Sequence, residues 1–489
     1  MANKIDVSAS SITSTSDYSR QVYFLLISLF LAFQLLKLIY FLPPPEIGGD
    51  AARKWFLAKD LSEGSLEVFR ANEHASHHFF RWGTWLFPLA LIWSFGDSVA
   101  FYYLSTFIPA TLAASIFLNL YYRHFGLKVA SALAILWALD PQLNRALFQL
   151  LPTGAALLPL ALIALGFQRF IDEKLTKRGL VLWLSPCLFW LYGAKETNVF
   201  FAPGLFIAVW VLAGPRSAFK LTAICLIFYV IEAIALSALQ GQIMVGGRLL
   251  ELLMGGSNHL KIMFESSSHV QQQETLWDAG IISRWYRVLA VHVPVYIPSI
   301  LAFVAIVISG FVSPFSNSTG RVAFAIALTA LSFVVLTSFF IVSFDPLRLG
   351  QPLRPRYVAI LLPFSAFALV YVAREMRVGR VLRDLRFLVL IALVYLTIGY
   401  FSYQREIRAL SSQLDDERIS LNPPARDTLA SRMAYFETYG RELPPNYCNL
   451  EKQDFKQLYF GLMYVRNDSH APSQIEIVGE CTQATGPYM

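Results

Sequence analysis

Long apolar runs separated by short polar segments extend over residues 21–403 of the chain. Most runs approach the ~20 residues that an α-helix needs to cross the hydrocarbon core of a membrane. The pattern predicts an all-α polytopic membrane protein with about 11 transmembrane helices. The predicted spans are 21–42, 98–122, 128–148, 152–170, 179–194, 198–213, 220–240, 289–312, 321–343, 357–373 and 386–403.

Four short loops between these runs are basic, and they fall on one side of the membrane when the spans alternate. They are 121–128, 168–179, 214–220 and 374–386. Because cytoplasmic loops carry an excess of lysine and arginine, we predict that these loops and the N-terminus face the cytoplasm. Loops 43–97 and 241–288 and the C-terminal tail then lie outside. The predicted location is the inner (plasma) membrane, crossed many times.

Two short helices are predicted in the first outer loop. Segment 84–96 is apolar but short for a span, and counting it as one would move the basic loops outside. We therefore interpret it as a juxtamembrane or half-inserted helix. The sequence of residues 48–61 predicts an amphipathic helix along the outer membrane face, with Asp50 in its first turn. Its apolar side carries Trp55, Leu57 and Leu61, and the rest of its surface carries Arg53, Lys54 and Asp60.

The chain divides into three predicted regions. Residues 1–20 are rich in Ser and Thr and are expected to be a disordered cytoplasmic N-terminus. Residues 21–403 form the transmembrane domain, and 404–489 form a small exported domain. The first apolar run is followed by Pro-Pro-Pro-Glu rather than by a small-residue cleavage site. We therefore expect a retained helix, not a signal peptide.

Composition excludes an ordinary soluble protein. Of 489 residues, 56% are hydrophobic and only 15% are charged, and the mean hydropathy is +0.50. A soluble domain has about 25% charged residues, so this chain cannot cover itself with polar surface in water. The sequence pI near 9.1 could indicate nucleic-acid binding. The basic residues are concentrated in loops, however, and membrane topology explains them better.

The four cysteines divide by location. Cys187 and Cys225 lie inside apolar spans, where a buried and inert thiol is expected. Cys448 and Cys481 lie in the tail, and an oxidising compartment would favour a disulfide between them. The alternative is two free thiols.

A carboxylate stands beside a diglycine where the first apolar run ends, in Glu46-Ile-Gly-Gly-Asp50. In one interpretation Asp50 caps the helix that follows and interacts with its dipole. In the other it is a general base at the lipid–water boundary, and the glycines allow the backbone to approach a ligand closely.

Four segments, in order along the chain, resemble the GT-C superfamily of membrane glycosyltransferases, which includes protein mannosyltransferases and lipid A aminoarabinose transferases. The first is the outer-loop pattern with Asp50, Ala58, Leu61 and Gly64. The second is the block 74–98, in which His77–His78 replaces the His-Pro or Lys-Pro pair of the family. The third is Leu-Tyr-Gly-Ala-Lys-Glu-Thr-Asn at 191–198, and the fourth is Arg-Pro-Arg-Tyr at 354–357.

The resemblance covers most of residues 20–403 and none of the tail. It departs from the family in the second outer loop, where many relatives carry another acid. Here that loop has none, and Asp140 lies upstream.

The resemblance implies transfer of a sugar from a polyprenyl-phosphate donor to an envelope acceptor, which is a lipid, a polysaccharide or a protein. Asp50 would accept the proton of the acceptor hydroxyl. Arginine and lysine would hold the leaving lipid phosphate, with Arg356 ranked first because it precedes Tyr357. The expected substrate-binding residues are Arg356, Tyr357, Arg354, Arg348, Lys195, Glu196, His77, His78 and Arg81. Each cation could instead anchor the chain to lipid head groups.

No cofactor or metal is expected. His74, His77 and His78 are closely spaced, but no His-Glu-x-x-His or cysteine-rich pattern accompanies them. Two other functions remain open. A transporter or flippase of lipid-linked saccharides would place charges within spans, as at Glu232. A non-catalytic envelope assembly protein would use the tail to bind a partner.

Overall fold

The computed structural model describes residues 9–40, 50–64, 80–140, 143–144, 148–240, 298–338, 341–344, 347–349, 359–375, 442–443 and 476–477. The helices are α1 Ala9–Tyr40, α2 Asp50–Ser62, α3 Trp82–Phe95, α4 Val99–Phe125, α5 Leu127–Leu139, α6 Pro152–Ile171, α7 Lys177–Ala194, α8 Ala202–Ala213, α9 Pro215–Gln240, α10 Pro298–Val312, α11 Ser318–Ser338 and α12 Leu362–Glu375. Two 3₁₀ turns, Glu196–Phe201 and Ala359–Leu361, lead directly into α8 and α12.

Six helical segments in this part of the chain are long and apolar enough to cross a membrane. They are Gln21–Leu38, Val99–Phe125, Pro152–Ile171, Glu196–Ala213, Pro215–Ala238 and Ser318–Ser338. Shorter apolar helices cover Trp82–Phe95, Leu127–Ala138, Pro298–Val312 and Ala359–Arg374. The protein is thus an all-α membrane protein, as predicted in outline.

Several predicted boundaries change. The span predicted at 128–148 is a helix of 13 residues that stops before Asp140, where the chain turns. Helix α1 begins at Ala9, so helical structure extends into the segment expected to be disordered. The last predicted span, 386–403, lies outside the described residues.

Local chemistry explains where several helices begin and end. Ser98 accepts a hydrogen bond from the Ala100 amide and caps α4, and Thr176 accepts one from Gly179 and caps α7. Helices α3 and α4 end at Gly96 and Gly126, whose φ angles are 89° and 85°. Glycine adopts this region without a steric penalty, so each marks a sharp stop.

Residues from separate basic loops meet at one end of the bundle, here called the Arg123 end. Arg123 at the end of α4 forms an ion pair of 3.2 Å with Asp172 after α6. His124 bonds both Gln168 and Thr319, and Arg374 donates to the Phe125 carbonyl at 2.8 Å. Described residues from three of the four basic loops, 121–128, 168–179 and 374–386, therefore do lie together.

Helix α3 begins and ends at the opposite end of the bundle. Its start contacts the residues just after α7, through Arg81 and Glu196. Its last residue, Phe95, lies four positions before α4 begins. Lys37, near the end of α1, donates to the Ala138 carbonyl near the end of α5. The end of α1 and the start of α4 therefore lie at the same end of the bundle. At 14 residues, α3 is about 21 Å long, shorter than the ~30 Å hydrocarbon core. These contacts support the prediction that 84–96 does not cross the membrane.

Most of the core lies between α4 and α12, and its helices approach closely at small residues. A Cβ added to Gly204 of α8 would lie 2.2 Å from the Leu328 carbonyl oxygen of α11. Next to this contact the rings of Phe201 and Phe333 stack with centroids 4.2 Å apart. Small residues that let backbones meet are a recurrent basis of helix association in membranes.

Four short strands are also described. Ile341–Phe344 (β1) and Leu347–Leu349 (β2) form an antiparallel pair. In the tail, Glu442–Leu443 (β3) pairs in parallel with Glu476–Ile477 (β4). The predicted disulfide partners Cys448 and Cys481 follow these two strands and lie outside the described residues. Cys187 is buried and Cys225 half-buried, both as free thiols.

We expect Gly204→Ala to destabilise the bundle by about 1–3 kcal/mol, because its methyl group would overlap the α11 backbone. Thermal unfolding in detergent measures the loss. Gly179→Ala is the control, since an added Cβ there would meet its nearest atom at 3.3 Å. Equal melting temperatures for the two variants would contradict the close α8–α11 contact.

Candidate functional site

An arginine and a glutamate 115 positions apart join α3 to the turn after α7. Arg81 donates from Nε to Glu196 Oε2 at 3.0 Å and from Nη2 to Oε1 at 2.6 Å. Their side chains are only 11% and 18% exposed. A two-point contact of this kind fixes both distance and orientation, which a single ion pair does not.

The local backbone holds both partners. The Arg81 carbonyl accepts the Thr84 amide at 2.8 Å and the Thr84 hydroxyl at 2.6 Å, which closes the first turn of α3. Lys195 is extended and ends α7, and its carbonyl accepts the Asn198 amide. The Asn198 side chain returns to the Leu191 carbonyl at 3.0 Å. The predicted turn between two helices at 191–198 is therefore present, with Glu196 at its first 3₁₀ position.

Two tryptophans and two glycines pack closely together next to the ion pair. A Cβ at Gly193 would lie 2.4 Å from the Trp82 ring, and one at Gly83 would lie 2.6 Å from the Ala194 nitrogen. Trp190 donates from its indole to the Gly83 carbonyl at 3.1 Å. Without a side chain on either glycine, the start of α3 lies directly against the end of α7.

A second acid binds the neighbouring residue. The Trp82 indole donates to Glu232 Oε1 at 2.6 Å, and Glu232 is 6% exposed although it belongs to α9. Sequence reasoning noted Glu232 only as an exception within an apolar span. No local pattern links it to Trp82, 150 positions away, and only the packing of α9 against α7 brings the two together.

Asp50 lies in the first turn of α2, as predicted, and α2 packs against α3. Asp97, just after α3, accepts the Trp55 indole at 3.1 Å and pairs with Lys59 at 3.1 Å. The prediction that Lys54 lies on the helix surface is wrong. Lys54 is fully buried and donates to the Leu150 carbonyl at 3.4 Å. The side of α2 that carries Lys54 is therefore buried in the protein, because α3 and Leu150 pack against α2.

The stretch that follows α5 is organised by buried polar contacts. Asp140 is 3% exposed and ends α5, and its Oδ1 accepts the Leu143 amide at 2.8 Å. It therefore lies at the helix end, not deeper in the helix. The Leu150 amide donates to the Tyr102 hydroxyl at 3.2 Å, opposite the contact of its carbonyl with Lys54.

The described residues bring three predicted site residues together: Arg81, Lys195 and Glu196. Asp50 begins the helix that packs on α3. Arg348 lies in β2, paired with Ser343. The other predicted residues, His77, His78, Arg354, Arg356 and Tyr357, lie outside the described residues. Within the described ranges no group of three or more His, Cys, Asp or Glu could hold a metal ion.

This end of the bundle, here called the Arg81 end, combines polar and aromatic groups next to apolar helices. It holds two carboxylates, a guanidinium and the indoles of Trp82 and Trp190. Carboxylates accept hydrogen bonds from hydroxyls, and a guanidinium fork suits oxyanions in particular. The N–H groups of both indoles are already bonded, to Glu232 and to the Gly83 carbonyl. The arrangement is a candidate site for a polar ligand presented at a membrane boundary.

Comparison with known proteins finds no match: no family model, no curated protein and no solved structure is similar to this chain.

We expect Arg81→Glu to lower stability by about 1.5–3 kcal/mol, because it replaces a charge-assisted contact with repulsion in a partly buried place. The double variant Arg81→Glu/Glu196→Arg should recover most of that loss. Thermal unfolding in detergent is the measurement.

The control for this prediction is Arg123→Glu, which breaks the pair with Asp172, whose members are 36% and 21% exposed. A more exposed pair should contribute under ~1 kcal/mol. Failure of the swapped pair to recover stability would contradict a specific Arg81–Glu196 contact.

Proposed function

We propose that this protein is a membrane glycosyltransferase that uses a polyprenyl-phosphate sugar and acts at the outer face of the inner membrane. The acceptor is an envelope lipid, polysaccharide or protein. The observation that carries the proposal is the two-point contact between Arg81 and Glu196. It joins the second and third segments through which the chain resembles GT-C glycosyltransferases.

The first of those segments adjoins the same structure. Asp50 begins α2, and α2 packs against the helix that Arg81 begins. Three segments that are separate in sequence thus belong to one packed unit of α2, α3 and the end of α7. A shared site requires such an arrangement, whereas unrelated surface features would have no reason to meet.

In the proposed reaction, Asp50 accepts the proton of the acceptor hydroxyl as that oxygen attacks the anomeric carbon. The bond from this carbon to the lipid phosphate breaks, and the phosphate leaves with the bonding electrons. Arg81 and Glu196 position the turn that carries Lys195, whose ammonium is one source of positive charge for the phosphate. Arg354 and Arg356 supply further charge in this proposal.

A charged residue within a span favours the second candidate function, transport of a lipid-linked saccharide. Glu232 is that residue, since it lies in the span Pro215–Ala238. Its contact with Trp82 ties α9 to α3, which also suits a fixed binding site. The two functions separate by product: a transferase forms a new glycosidic bond, and a transporter does not.

We expect Asp50→Asn to reduce transfer by about 100-fold or more while the protein stays folded and inserted, because the change removes a proton acceptor and little else. The measurement is mass spectrometry of envelope glycans from cells that lack the protein and express each variant. Asp60→Asn is the matched control on the same helix. Full glycan modification by Asp50→Asn would exclude it as the base.

The same glycan profiles test the transport alternative. If the unmodified acceptor accumulates together with the lipid-linked donor, transfer has failed. If the donor is instead trapped on the cytoplasmic side in Glu232→Gln cells while Asp50→Asn cells are normal, transport is the function.

We also propose that the reaction needs no divalent metal, because a lipid monophosphate can be held by arginine and lysine alone. Transfer by the purified protein should then be unchanged by EDTA. Loss of transfer with EDTA, and recovery with one added ion, would reassign Asp50 from base to metal ligand.

A further inference from the structure

Helix α1 lies at the margin of the bundle, and only a narrow stripe of it is covered. In the span Gln21–Leu38, 17% of the residues are buried. The buried positions are Tyr23, Phe30 and Gln34. Leu29, Phe33 and Leu36 are among the exposed ones, so most of the helix is open to the surrounding lipid. Lys37, one turn beyond Gln34, is only partly covered, so the end of this face lies next to the exposed side of the helix.

The stripe ends in an amide that has no partner. Gln34 is 0% exposed, and neither Oε1 nor Nε2 has a hydrogen-bond partner in the described part of the chain. An enclosed amide without hydrogen bonds costs about 1–3 kcal/mol. Side chains of this kind are rare in folded proteins and mark places where a polar partner belongs.

One turn later, on the same face, stands a lysine without a counter-charge. The Lys37 ammonium donates to the Ala138 carbonyl and, at 2.7 Å, to Asn144 Oδ1. It lies 5.0 Å from the centre of the Phe33 ring. All of these partners are neutral, and none of the ion pairs formed by described residues includes Lys37. A buried charge is normally paired with an opposite charge, and none of these partners supplies one.

The position of Lys37 selects the kind of anion. It is the next-to-last residue of the candidate span Gln21–Leu38, at the depth where lipid head groups begin. Asn144 adds an amide whose Nδ2 donates to the same Ala138 carbonyl at 3.3 Å. A phosphate attached to a lipid chain would place its charge at Lys37 and its hydrocarbon along the exposed face of α1.

We propose that Lys37, together with Gln34 and Asn144, binds the phosphate of a membrane lipid at the seam between α1 and the end of α5. The lipid is either a polyprenyl phosphate or an ordinary anionic phospholipid, which present the same phosphate chemistry. The proposal does not depend on catalysis, because the site is built from groups that the proposed transfer reaction does not use.

Binding to the purified full-length protein tests the site, with native mass spectrometry as the readout. The probes are a polyprenyl monophosphate, the corresponding polyprenol and phosphatidylglycerol. Lys37→Met should weaken binding of a phosphate probe by about tenfold or more, and Lys37→Arg should restore most of it. Lys128→Met is the matched control, because Lys128 is an exposed lysine at the opposite end of α5.

A second variant keeps the test informative if Lys37→Met does not fold. Gln34→Leu removes the enclosed amide, so it should raise the melting temperature while it weakens phosphate binding. Preference for the polyprenyl phosphate would identify a carrier-lipid site, and equal binding of phosphatidylglycerol would identify a head-group site. Equal binding of polyprenol and its phosphate, or unchanged phosphate binding in the Lys37 and Gln34 variants, would overturn the proposal.

Discussion

The attachment of one short helix to the rest of the bundle decides the shape of the candidate site. Helix α3 has only 14 residues, and side chains at its start fix its position against the bundle. Arg81 donates two hydrogen bonds to Glu196, and the Trp82 indole donates one to Glu232. Partly buried contacts between charged groups are strong only when geometry is good, and here adjacent residues bind two different helical segments.

The attachment of α3 depends on a close approach between its backbone and that of α7. Gly83 and Gly193 leave room for the Trp82 and Trp190 rings, so α3 meets the end of α7 without an intervening layer of side chains. Interiors are packed too tightly to absorb an extra methyl group at such places. The two glycines and the Arg81–Glu196 ion pair therefore form one contact. The missing side chains at the glycines let the helices approach closely enough for the two charges to meet.

The two ends of the bundle differ in chemistry. At the Arg123 end, polar residues from three loops bond mainly to one another and to backbone carbonyls, as with Arg374 and Phe125. At the Arg81 end, two acids and two indoles lie at the start of α3, and Lys54 is buried within α2. The half-buried Lys37 donates to the Ala138 carbonyl, just before residue 140, and the buried Lys54 donates to the Leu150 carbonyl. At this end, polar side chains of the described residues therefore bond to other helices and to the segments that connect them.

Sequence alone determined the membrane class, the approximate positions of most helices, the shortness of α3 and the place of Asp50 in the first turn of α2. These follow from the length of apolar runs and from local capping, which need only neighbouring residues. It also selected Arg81 and Glu196, but not their contact. The tertiary structure decided that contact, the part played by Glu232, the burial of Lys54 and the early end of α5 before Asp140. The contacts of Arg81, Glu232 and Lys54 join residues 96 to 150 positions apart. A carboxylate or ammonium is buried only where the packed fold supplies its partner.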